Sequence, residues 1–278
     1  MMAVKEELVL GLMSFFMGFF KAAFGIGAGV FLVPIGVLFM SPRALVGAIA
    51  PLMLITDLVA LRHQWRKWAP LPTRTLLEGG LAGLFLGIYF LARVPAGYAR
   101  KAIGVVALTY ALYQLAGKGA LAKKILATIR TMALPAGGGA SAFFPARSSR
   151  TGSAVNESRL PSPWWGRLIG FAAAAVSGFS HTGGVILAIY LSVLALPKET
   201  FVATIVFCLL LFDLVKLTSY WHLGIVTLPI LGLGLLLLPA MVLGGALGKA
   251  FQGRLSQERF LQLTAHLILL SGLALLLT

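Results

Sequence analysis

Lys21, Asp57, His181, Asp213 and Lys216 are ionisable residues set inside long apolar runs. Charge in hydrocarbon is costly, so such residues mark an ion or substrate path by default. Lys21 offers a fixed positive charge to an anion; the plainer alternative is snorkelling to an interface. His181, flanked by Ser177, Ser180 and Thr182, can donate hydrogen bonds or change protonation near neutral pH. The two acids recur in matching stretches, Asp57-Leu58-Val59-Ala60-Leu61 and Asp213-Leu214-Val215-Lys216-Leu217. Lys216 falls on the same helical face as Asp213 and predicts a neutralised pair. Asp57 lies one turn before Arg62 and Arg66 and is expected to pair there. Proton coupling or gating is the functional reading of Asp57, Asp213 and Lys216; a structural ion pair is the plainer one. Glu78, His63 and His222 read as interfacial, and His266 as an interhelical histidine.

The elements that must position these groups are unusual. Leu8–Met40 and Leu168–Leu196 are each longer than the about 20 residues of a simple span, and both are interrupted by glycine. The first break is Gly25-Ile26-Gly27-Ala28-Gly29; the second is His181-Thr182-Gly183-Gly184. Each run is followed, after Pro42 or Pro197, by the run that carries its aspartate. Broken segments at matching places in two halves point to a transporter binding site at the repeat interface. A break leaves helix N-termini in the membrane, whose free N–H groups and partial positive charge favour anions. Lys21, Gly25, Gly27, Gly29, Ser177, Ser180, His181, Thr182, Gly183 and Gly184 are therefore the candidate substrate-binding residues.

Composition agrees. The chain is 59% hydrophobic and 11% charged, with mean hydropathy +0.95, against roughly 25% charged in soluble domains. That identifies a polytopic all-α membrane protein. The net charge of +15 does not imply nucleic acid, because the basic residues fall between apolar runs rather than on one face. Lys5 is offset by Glu6 and Glu7, and the following run is too long for a signal h-region, so no cleavable signal is expected. The single Cys208 excludes an intramolecular disulfide framework.

The further apolar runs Ala44–Leu61, Thr75–Ala92, Ala102–Ala116, Thr200–Tyr220, Ile225–Leu247 and Phe260–Leu277 are expected to cross, giving about eight hydrophobic segments. Basic residues cluster at Arg62–Arg74, through the centre, and at Lys249–Arg259, which predicts three cytoplasmic loops facing anionic headgroups. If each broken run crossed once, the halves would be parallel and the last cluster would lie outside. If each returns as a hairpin, the halves are inverted and all three clusters lie inside, leaving Arg43, Arg93, Arg100 and Lys101 outside besides Lys5. The second threading is preferred: two inverted repeats, each a glycine-broken helical hairpin plus three transmembrane helices. The repeats are expected at 1–117 and 164–278. Residues 118–163 between them should hold a basic amphipathic helix, Ala120–Met132, and then a Gly-, Ser- and Pro-rich linker.

Enzyme chemistry finds little support. Adjacent Ser180 and His181 would point apart on a helix, and no metal-binding motif is present. No cofactor or metal is expected.

The run Gly11…Gly18-Phe19-Phe20…Gly25-Ile26-Gly27-Ala28-Gly29-Val30…Pro34, then Pro42…Ala44-Leu45-Val46-Gly47, resembles the repeat signature of the TauE/SafE sulfite exporter family. A second copy, Gly170…Ser177-Gly178-Phe179-Ser180…Gly183-Gly184-Val185…Pro197…Ala203-Thr204, is similar though weaker. The resemblance implies a bacterial inner-membrane carrier of small sulfur-containing anions such as sulfite, thiosulfate or organosulfonates; a coupling proton or cation is a candidate further partner, which the sequence does not specify. Alternating access is the expected mechanism, and a homo-oligomer is compatible with it. Ala28, His181-Thr182, Lys21 and the long basic linker depart from the family pattern. A non-transporting scaffold, with the basic linker recruiting a partner, is the competing reading.

Overall fold

The computed structural model describes residues 4–24, 29–115, 162–194, 196–251 and 257–277. Gly25, Gly27 and Ala28 of the first break, and the amphipathic helix and linker expected up to 161, lie outside them. The described residues form ten helices and no strand. The first five are α1 (Val4–Phe24), α2 (Gly29–Gly36), α3 (Pro42–Gln64), α4 (Pro70–Arg93) and α5 (Ala96–Leu115). The last five are α6 (Pro163–Ser180), α7 (Gly184–Val193), α8 (Lys198–His222), α9 (Leu228–Phe251) and α10 (Gln257–Leu277).

Each long apolar run is thus a long helix, a break and a short helix. Proline sets several starts: Pro42, Pro70 and Pro163 occupy the first turns of α3, α4 and α6, where a missing N–H costs nothing. Among the described residues, four helices are long and apolar enough to cross a membrane: α3 over Pro42–Arg62, α4 over Pro70–Arg93, α8 over Glu199–His222 and α9 over Leu228–Gly248. Leu8–Ala22 in α1 and Ile268–Leu277 in α10 are shorter apolar stretches.

Contacts between helices are exchange-matched. The largest pack α4 on α6 and α1 on α9, and α3 meets α8 as α5 meets α10. Glycine makes the first two close. A Cβ on Gly79, Gly83 or Gly87 would strike the carbonyls of Arg167, Phe171 and Ala175 in turn. Both series ascend together, so α4 and α6 run parallel. Likewise Gly244 and Gly248 abut the backbone of Phe15 and Phe19, so α9 runs parallel to α1. Without a hydrophobic drive between helices in lipid, such close backbone approach supplies the packing energy.

The other two contacts run the opposite way. Along α3, Leu61 groups with Val206 and Leu210, Asp57 shares a cavity with Asp213, and Gly47 abuts Ile225. Along α5 and α10, Gly104 approaches Leu275, Leu108 approaches Gly272, and Ala111 clusters with Ile268. One series rises as the other falls in both cases, so these pairs are antiparallel.

Two large apolar clusters flank the centre, one around Leu10, Met17, Val33, Leu45 and Met241, the other around Leu84, Ala173, Leu187 and Phe212. Polar ties gather at one end. Lys67 Nζ reaches Glu199 at 3.0 Å, and Arg74 and Arg167 both hold Glu78 at 2.8 Å. Glu78 is therefore an ion-paired bridge between α4 and α6.

Candidate functional site

The two chain breaks meet. A Cβ on Gly29, the first residue of α2, would strike the backbone of His181, so glycine is what lets α2 approach. His181 itself ends α6 in the left-handed region, φ 54°, its N–H bonded to the Ser177 carbonyl at 3.0 Å. A non-glycine residue there carries roughly 1 kcal/mol of strain. That conformation turns its ring out of the α6 axis and into the protein centre.

There the ring bridges two elements. Its Nε2 lies 3.2 Å from the Val46 carbonyl of α3, and its Nδ1 lies 2.7 Å from Lys216 Nζ of α8. A carbonyl only accepts and an ammonium only donates, so the ring is neutral with its proton on Nε2. Lys216 also pairs with Asp213 and donates to Ser177 Oγ at 3.1 Å. Tyr220 Oη donates to the Gly178 carbonyl at 2.6 Å, locking α8 to α6 beside the ring.

The second ion pair lies opposite. Lys21 of α1 pairs with Asp57 of α3 and donates to Thr56 Oγ1 at 2.6 Å. The expected pairing of Asp57 with Arg62 and Arg66 is thus corrected: its partner is Lys21, because α3 turns Asp57 inward while Arg62 is exposed near the helix end. The same pair engages the positive charge of Lys21.

Lys21, Met53, Asp57, Ser177, His181, Thr182, Gly184, Asp213 and Lys216 line one cavity of about 30 Å³, room for one or two waters. Gly29 backs it, and Gly183 packs against the Ala173 carbonyl behind it. Ser180 is not in the lining; its hydroxyl donates to the Val176 carbonyl at 2.8 Å and meets Thr182 Oγ1 at 2.7 Å. Neither of these bonds involves His181, so no serine–histidine pair forms there. Gly25 and Gly27 lie outside the described residues. Among those described, no three His, Cys, Asp or Glu side chains come together as metal ligands.

Sequence reasoning missed Thr56, the Val46 carbonyl and Tyr220. Tyr220 was findable: Asp213, Lys216 and Tyr220 follow the three-then-four spacing of a single helical face. The Val46 carbonyl carries no signal, being a backbone atom reached across the fold.

A model of the family "Sulfite exporter TauE/SafE" matches residues 10–275. The chain belongs to the TauE/SafE family. No curated protein and no solved structure matches it. TauE/SafE is a family of membrane transporters of sulfite-like anions and not an enzyme family, and membership together with the apolar helices makes this an integral membrane protein. Read as a TauE/SafE site, the cavity holds two ammonium groups, two carboxylates, a neutral imidazole and the hydroxyls of Ser177 and Thr182. It offers donors to an oxyanion, but both cations are already paired.

Proposed function

We propose that this TauE/SafE protein is a secondary transporter of a small sulfur oxyanion, such as sulfite, thiosulfate or an organosulfonate, working by alternating access in the bacterial cytoplasmic membrane. The observation that carries the reading is the meeting of both chain breaks at one buried, charged cavity. The anion sits between the breaks, held by Lys21, Ser177, Thr182 and His181, with the backbone of Gly29, Gly183 and Gly184 shaping the site and Ser180 orienting Thr182. Asp57, Asp213 and Lys216 act in proton coupling or gating.

The helix directions support inverted repeats, 1–117 and 164–278, joined by the basic segment 118–163. The matching helices α3 and α8 are antiparallel, as are α5 and α10, whereas α1 shares its direction with α9 and α4 with α6. Short turns join α3 to α4 and α8 to α9, so directions alternate there. Consistency then requires α2 and α7 to turn back, making each broken segment a re-entrant hairpin. Threaded this way, the ends of α3, α5 and α9 from which the three basic stretches of sequence continue lie on one side, the cytoplasmic one. Arg43, left at the other end, caps α4: its guanidinium donates to the carbonyls of Leu91 and Ala92 at 2.8 and 2.6 Å. Beside it opens a cavity of about 560 Å³ lined by Arg43, Arg93, Leu223 and Ile225, one turn of α3 from Val46. The His181–Val46 contact is then the closed outer gate.

The test is flux of labelled sulfite, thiosulfate and isethionate into proteoliposomes holding the purified protein, with and without a proton gradient. Saturable flux that falls at least tenfold in Lys21→Gln is expected. Absence of flux from folded protein would remove the transport reading.

A further inference from the structure

The charges in the central cavity cancel. Lys21 and Lys216 contribute two positive charges, Asp57 and Asp213 two negative, and His181 is neutral by its bonding. The groups facing Asp57 are Lys21 from α1, Thr56 on its own helix, and Asp213, Lys216 and His181 across the cavity. An anion entering this site adds charge that nothing in the cavity offsets, at a large cost in so dry a place.

Resting on the transport reading above, we propose that Asp57 is the proton-binding site for coupling: the anion enters with one proton, which neutralises Asp57 and frees Lys21 to bind the anion. The step balances. A solvent proton joins the Asp57 carboxylate to give the acid, offsetting the whole charge of a monoanion or one of the two charges of a dianion, and the Lys21 ammonium keeps its protons and exchanges one anionic partner for another. Geometry selects Asp57 over the alternatives. His181 Nδ1 cannot take the proton while Lys216 donates to it, and its Nε2 already carries one. Asp213 is held by Lys216, which is anchored in turn by Ser177 and His181. Asp57 has a single cationic partner, on a different helix, and faces a second carboxylate across the cavity. Facing carboxylates are a ready seat for one shared proton.

The test is calorimetric titration of purified protein with sulfite, at a pH where sulfite is the dianion, in two buffers of different ionisation heat. Uptake of about one proton per bound anion is expected, with affinity climbing about tenfold per unit fall in pH. Asp57→Asn should bind sulfite without proton uptake and with a flat pH profile. Binding to wild-type protein without proton uptake overturns the proposal while leaving transport standing, and needs no variant to fold. Uptake retained in Asp57→Asn also overturns it. Wild-type protein that binds no sulfite removes the transport reading and this one together.

Discussion

Replacing Lys21 by Met removes one partner of an ion pair that joins α1 to α3. The Lys21 side chain is 16% exposed and that of Asp57 4%, so the carboxylate left behind is almost fully desolvated. Removing one partner of a buried pair costs about 3–5 kcal/mol, chiefly through the orphaned charge. The loss of a charged donor to Thr56 and Asp57 together accounts for a similar sum, at about 1.5–3 kcal/mol each. Replacing both partners, as Lys21→Met with Asp57→Leu, removes the orphan and should return stability close to wild type. The coupling energy across the double-mutant cycle is therefore expected above about 2 kcal/mol, beyond the about 0.6 kcal/mol of an ordinary interhelical polar contact in a membrane. Denaturant unfolding followed by tryptophan fluorescence measures it, and the double variant should be stable yet inactive in flux. Coupling at or below the ordinary value would refute the reasoning, because the two residues would then not share a desolvated contact.

Three other outcomes follow from particular contacts. Gly83→Leu sets a side chain against the Phe171 carbonyl and should destabilise by about 3 kcal/mol or more; thermal melting in detergent checks it, with exposed Gly232→Leu as the tolerated control, since nothing crowds that position. At the left-handed position, His181→Gly should be more stable than His181→Ala by about 1 kcal/mol, both having lost the ring and hence flux; equal stability would contradict the strained backbone. Deleting 137–158 should leave sulfite flux within about twofold of wild type if the central segment only connects the halves, whereas lost flux from folded protein would favour a linker-dependent role.

Much of this protein was legible because bilayer physics is one-dimensional. Hydrophobic length and glycine interruption are properties of consecutive residues, so they marked helices and breaks before any contact was known. The Asp213–Lys216 pair was legible for the same reason, since three residues along a helix is a fixed distance. Helix ends were less so: α5 begins at Ala96, before the apolar run that predicted it, because its first turns carry Arg100 and Lys101.

What only the tertiary structure decided are the relations that depend on how each helix is rotated and which way it runs. The partner of Asp57 lies 36 residues away, and nothing near Asp57 in the chain distinguishes Lys21 from Arg62. Glycines in α4 and α6 read as generic small residues until their paired ascent along the backbone gave the two helices one direction. His181 lies where the family pattern leads one to expect glycine, yet its ring reaches Val46 and Lys216 only because the left-handed backbone aims it there. Local propensity sets which segments become helices; close packing of backbones across the fold sets which charges meet.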